Sequence, residues 1–111
     1  AQRFNIKTAW GTDILFNPLK TPTQGRQLAK LTRFYAAHDV ANMATKINGE
    51  LLGLSGARNP YPGKVGRIEA GALADLLVVE GDPTVSLAFL EDPEINISMI
   101  MKGGKIYKQN F

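Results

Sequence analysis

Apolar and polar residues alternate at the start of the chain. Phe4, Ile6, Thr8 and Trp10 fall on one side and Asn5, Lys7 and Ala9 on the other. This period of two predicts a short strand over residues 4–10, ended by Gly11-Thr12-Asp13, where glycine permits a sharp turn. A loop follows through Asn17-Pro18 to Lys20. Thr21-Pro22-Thr23-Gln24 then has the layout of a helix start, with Thr21 as cap, Pro22 in the first helical position and Gln24 closing a capping box. Leu28, Leu31 and Tyr35 give this helix one apolar face. Val40, Met43, Ala44, Ile47 and Leu51 recur at helical spacing and predict a second helix over 39–52, stopped by Gly53.

The pattern changes after residue 55. Residues 55–66 include Gly56, Pro60, Pro62, Gly63 and Gly66 and read as an irregular connector. Beyond it Arg67-Ile68 is a short strand, Glu69-Ala70-Gly71-Ala72 a turn, and residues 75–80 a buried strand ended by Gly81-Asp82-Pro83. A helical turn is expected within 84–91. Residues 97–101 and 105–107, joined across Gly103-Gly104, form a terminal hairpin. The division is therefore 1–55 and 56–111. The first strand has no visible partner and the later strands leave open edges. The chain reads as two incomplete halves, most simply a piece of a longer chain.

Composition narrows the class. With 44% hydrophobic and 21% charged residues the chain is globular rather than fibrous or low-complexity. No apolar run approaches the roughly 18 residues that span a bilayer, and the opening residues lack the layout of a secretory signal. The absence of cysteine removes disulfides, thiolate zinc sites and cysteine nucleophiles together, without fixing the compartment. His38 is the single histidine, so no site that needs two imidazoles can be built from one copy of this chain. Charge is uneven. Residues 1–67 carry ten Lys/Arg against three Asp/Glu, and residues 68–101 carry seven acids and no base. The basic residues are scattered singly and accompany no binding motif, so they read as a solvated surface rather than a nucleic-acid interface.

Four stretches resemble one family. Ile6-Lys7-Thr8-Ala9-Trp10-Gly11-Thr12-Asp13 is similar to the eighth barrel strand of the metal-dependent amidohydrolases. Met43-Ala44-Thr45, with Asn48, Glu50 and Leu51-Leu52-Gly53-Leu54, is similar to the helix after that barrel. Gly66-Arg67-Ile68-Glu69-Ala70-Gly71-Ala72-Leu73-Ala74-Asp75-Leu76-Leu77-Val78-Val79, then Gly81-Asp82-Pro83, resembles a strand pair of the small β-sandwich such enzymes carry. Ile100-Met101-Lys102-Gly103-Gly104-Lys105-Ile106-Tyr107 resembles its closing hairpin. With Asn59-Pro60-Tyr61-Pro62-Gly63, the likeness is to the imidazolonepropionase-like branch that includes Xaa-Pro dipeptidase-type enzymes. The implied fold class is α/β plus β, the C-terminal piece of a (β/α)8 barrel followed by part of a composite β-sandwich. The implied activity is hydrolysis of C–N bonds in amide, dipeptide or cyclic amide substrates.

The resemblance also implies a divalent metal, usually zinc, at the barrel mouth, where it activates water and polarises the scissile carbonyl. The family's His-x-His pair and later histidines have no counterpart here. Only the aspartate that ends the eighth strand maps, as Asp13, implied as metal ligand and general base. The chain alone is then expected to hold no metal tightly and to be inactive, its partner being the remainder of the barrel. Trp10 and Phe16 flank Asp13 and either line a substrate pocket or pack the barrel wall. His38 precedes the second helix, where relatives often carry a capping threonine, and reads as solvated. Asp75 reads as an acceptor of backbone N–H bonds, Asp82-Pro83 as turn chemistry, and the Met43, Leu51, Leu52 stripe as core. As a segment the chain is open to pairing into a homo-oligomer; the alternative is a noncatalytic module that binds a partner chain through its open sheet edges.

Overall fold

The computed structural model describes all 111 residues, Ala1–Phe111. A tight 3-10 turn over Pro18–Thr23 runs into α1 (Gln24–Ala29), and a second 3-10 turn, Lys30–Arg33, ends it. This helical run begins ahead of the predicted Thr21 cap. Asn17 precedes it and Pro18 takes the first position, because its fixed φ favours helix entry as well as that of Pro22 does. Pro22 lies inside the turn, no side chain caps α1, and Thr23 Oγ1 donates back to the carbonyl of Lys20 at 2.7 Å.

The second helix covers residues 37–53 in three parts: α2 (Ala37–Asn42), a wide π-type turn over Met43–Ile47, and α3 (Asn48–Gly53). It starts two residues earlier than the periodicity predicts, which puts His38 in its first turn. Val40 is fully buried and Met43 buried, as the apolar stripe requires. Leu51 is exposed, against expectation. The wide turn breaks the 3.6-residue phase on which the stripe was projected, and no element covers Leu51.

Val40 packs with Ala29 and Leu87, surrounded by Leu28, Leu31, Tyr35, Phe89 and Leu90. Leu87 leads into a 3-10 turn, Ala88–Glu91, within the predicted window. Arg26 Nε donates to the carbonyl of Glu91 at 3.1 Å, so the helical core draws on both sides of residue 55.

The sheet is antiparallel in the order β1 (Leu76–Val79), β2 (Ile97–Lys102), β3 (Lys105–Gln109), with a short α4 (Pro93–Asn96) leading into β2. Leu77 faces Ile100 and Val78 faces Met99 across the first pair, and Ile100 faces Lys108 across the second. The hairpin turn has φ of +54° at Gly103 and +79° at Gly104, the two left-handed residues that a two-residue turn needs to match strand twist. Asp75 accepts the N–H of Gly103 at 2.7 Å, and the carbonyl of Ala74 accepts that of Gly104 at 3.0 Å. The terminal hairpin is thus pinned to the start of β1, and Asp75 takes backbone N–H as anticipated.

Two predicted strands do not form. Residues 4–10 begin in a 3-10 turn, Gln2–Phe4, pass through left-handed Asn5 (φ +49°) and continue without ladder pairing. Alternation marks a strand only where a neighbour supplies the other half of the ladder. None lies alongside, and Phe4 and Ile6 stay 73% and 61% exposed. Arg67-Ile68 is likewise unpaired. The bridge forms instead at Lys64 and Ala72, closed by the N–H of Leu73 to the carbonyl of Lys64 at 2.9 Å.

Burial is thin. Five residues are buried, and the accessible surface is 8139 Å², against roughly 6,000 Å² for a folded monomer of this mass. The connector is nevertheless held closely. Gly66, at φ +75°, lies against the carbonyl of Thr45 in the wide turn, and Gly49 lies against the carbonyl of Val65. A Cβ on Gly66 would be both left-handed and overlapping. Gly66→Ala is expected to cost about 2–4 kcal/mol in urea denaturation. Gly53→Ala, in open helical space, should be neutral or stabilising by about 1 kcal/mol.

Candidate functional site

Asp13 sits on the exposed turn between the unpaired segment and the first 3-10 helix. Its backbone is left-handed, with φ of +50°. Asp and Asn are the non-glycine residues that tolerate this region best, and a residue held there merits attention as a functional position. The carboxylate accepts no hydrogen bond and makes no ion pair in this structure, so Asp13 does not cap its own turn. It is free to meet a ligand from outside.

Trp10 is half-buried three residues before it. Phe16, three residues after, is 92% exposed and packs against nothing that could form a pocket wall with Trp10. The structure therefore brings Asp13 and Trp10 onto one short segment and leaves Phe16 projecting from it. His38 is exposed, with Nε2 3.0 Å from Asp39 Oδ1 in the first turn of α2, and is remote in sequence and contact from Asp13. Asp82 works as a turn residue. Its Oδ1 accepts the N–H of Thr84 at 2.8 Å and the Thr84 hydroxyl at 2.6 Å, and these bonds hold its pKa below the usual aspartate value.

The segment that bears Asp13 is held by α3. Asn48 Oδ1 accepts the N–H of Trp10 at 3.0 Å, and Asn48 Nδ2 donates to the carbonyl of Trp10 at 2.9 Å. One side-chain amide thus supplies to Trp10 the donor and acceptor that a neighbouring strand would otherwise supply. Two residues on, Glu50 accepts Lys7 Nζ on one oxygen and Arg67 on the other, each at 2.7 Å. The Lys7 hydrogen bond lowers the Glu50 pKa, opposed by partial burial and reinforced by the charges of Lys7, Arg67 and Lys46. The tether role of Asn48 was not apparent from composition or motif. The available signal was an amide at helical spacing beside the apolar stripe, four residues after Ala44, where a half-buried polar group needs partners.

Beneath the same helix is a groove of about 430 Å³, lined by Ile6, Lys7, Asp39, Asn42, Lys46 and Glu50 among others. It does not reach Asp13. No group of three or more His, Cys, Asp or Glu residues is arranged to hold a metal ion. No helix is long and apolar enough to cross a membrane.

No family profile and no curated protein matches the sequence. Among solved structures, the crystal structure of an amidohydrolase superposes with a TM-score of 0.81 and 30% sequence identity over 99% of this chain. The chain spans 24% of the length of that amidohydrolase. The likeness supports placing the chain with the amidohydrolase superfamily.

The Glu50 tie carries a pH signature. Because its pKa is lowered on folding, its contribution is complete above the ordinary value of 4.5 and is lost as pH falls through the lowered value. Denaturation midpoints of the protein and of Glu50→Gln, followed from about pH 7 to about pH 3, are expected to differ at the upper end and converge at the lower. A gap that widens on acidification would contradict this origin.

Proposed function

We propose that this chain is the C-terminal segment of a metal-dependent amidohydrolase of the imidazolonepropionase-like branch, which includes Xaa-Pro dipeptidase-type enzymes, and that it contributes Asp13 to the active site. The substrate class is amide or cyclic amide, dipeptides included, cleaved at a C–N bond. The observation that carries the reading is the likeness along 99% of the chain to a solved amidohydrolase. Two features of the chain support it. Asp13 is exposed, left-handed and free of partners, and the surface is about a third larger than a self-contained domain of this mass would leave open.

The donor set fits a metal in part. Asp13 offers one carboxylate oxygen ligand of a kind zinc accepts. With no further ligand cluster on the chain, the remaining ligands come from the rest of the enzyme. Bound there, a divalent metal supplies the positive charge that polarises a carbonyl and acidifies water. Asp13 accepts the proton of the attacking water at a carboxylate oxygen and returns it to the leaving nitrogen. Asp13 follows the tethered Trp10 by three residues. Trp10 and Phe16 flank it in sequence and are the candidates for substrate contact.

Asp13→Asn in the full-length enzyme keeps shape and removes basicity. We expect kcat to fall about 10²–10⁴-fold, KM to change less, and most bound metal to remain, because other ligands hold it. Asp75→Asn, which keeps an acceptor for Gly103, is expected to leave kcat unchanged in folded protein. A fully active Asp13→Asn enzyme with normal metal content would reduce Asp13 to a turn residue.

The isolated 111-residue chain is expected to show no zinc-dependent turnover of amide or cyclic amide substrates, and to self-associate in sedimentation at micromolar concentration through its open strands and exposed apolar side chains. Chelator-sensitive turnover would overturn the first expectation. A cooperative, monodisperse monomer would favour the noncatalytic module over the segment.

A further inference from the structure

We propose that Asn48 is a positioning residue for Asp13, acting as a two-point clamp on the backbone of Trp10. The proposal rests on Asp13 being the general base.

Between Trp10 and the next turn the backbone of Gly11, Thr12 and Asp13 makes no hydrogen bond. The first bond beyond is the N–H of Asn17 to the carbonyl of Ile14 at 2.8 Å. Asp13 is thus suspended between two fixed points. The downstream point is a local turn whose surroundings, Leu15 and Phe16, are exposed. The upstream point is Trp10, gripped at both N–H and carbonyl by one amide on a helix. Position along the chain and rotation about it are both fixed by two parallel bonds, where one bond would leave a swivel. Thr8 and Ala9, just before the clamp, are half-buried like Trp10, whereas residues 2–7 are exposed. The clamp therefore lies where the segment becomes partly buried.

The chemistry of position 48 is restrictive. An amide alone offers donor and acceptor on one short planar group. Aspartate accepts the Trp10 N–H but meets the Trp10 carbonyl with a like partial charge. Leucine has the same size and neither function. The helix itself is held from its other side by Gly49 against Val65 and Glu50 to Arg67, so Asn48 starts from a rigid base.

Asn48→Leu and Asn48→Asp are made in the full-length enzyme. Steady-state kinetics, hydrogen exchange of the peptide spanning Trp10 and Asp13, and thermal unfolding are then measured on the same preparations. For Asn48→Leu we expect exchange of that peptide to quicken about tenfold. We expect kcat to fall about 10–100-fold, the cost of misplacing a reacting group by an ångström or less, with KM within about threefold. Asn48→Asp should lie between leucine and the native residue in both exchange and kcat. If the leucine variant does not fold, the aspartate variant carries the same readings.

A role confined to stability would instead lower activity only in proportion to folded fraction, with kcat per folded molecule unchanged. That result, or exchange unaltered in a folded variant, overturns the clamp. Native enzyme without hydrolase turnover would overturn the general-base reading of Asp13 and the positioning role with it. Exchange would still report whether Asn48 holds Trp10.

Discussion

One turn of helix holds both the segment that bears Asp13 and the connector that leads to the sheet. Asn48, Gly49 and Glu50 are consecutive. The first grips Trp10 and the second admits the Val65 carbonyl where a methyl group would collide. The third holds Lys7 and Arg67 on its two oxygens. Through these three residues the segment that bears Asp13 and the connector into the sheet are referred to the same rigid object. With five buried residues, hydrophobic packing alone fixes little of the molecule, so short polar contacts and a close backbone approach carry the geometry. The ionic contacts are solvent-accessible, and each is worth little by itself. Their value lies in converging on one turn whose backbone is already hydrogen-bonded.

The sequence disclosed most where local chemistry suffices to define structure. The Gly103-Gly104 hairpin needs two left-handed residues and has them. The Asp82-Pro83-Thr84 turn closes through its own aspartate, and the buried position of Val40 follows from helical spacing. It disclosed least where structure depends on a neighbour. Residues 4–10 carry a strand's alternation, yet a strand exists only as half of a pair, and the missing half leaves Phe4 and Ile6 in solvent. Thr21 had the right partner residues for a cap, but Pro18 captured the helix start first. Leu51 was projected inward on a regular period that the wide turn at Met43–Ile47 interrupts.

The candidate site was legible as a residue and not as an arrangement. Asp13 stood out because of its place in a family resemblance, and its left-handed, partner-free state adds a physical observation that the sequence did not contain. Asn48 appeared in the same resemblance without a role, since nothing in a linear pattern tells that an amide on a helix will reach a backbone 38 residues away. The backbone of Trp10, rather than its indole, takes both bonds from Asn48.

The wide turn at Met43–Ile47 has a bearing on how such a chain can vary. It lies between the half of the helix that packs into the core through Val40 and the half that carries Asn48, Gly49 and Glu50. Each residue of a regular helix advances its direction by about 100°. The length of this turn therefore sets the bearing of all three contacts relative to the core, as a single dial. Gaining or losing one residue there would swing the three away together, whereas the same change in the 34–36 linker would leave their bearing relative to Val40 intact. Length, more than side-chain identity, is the quantity this stretch must keep.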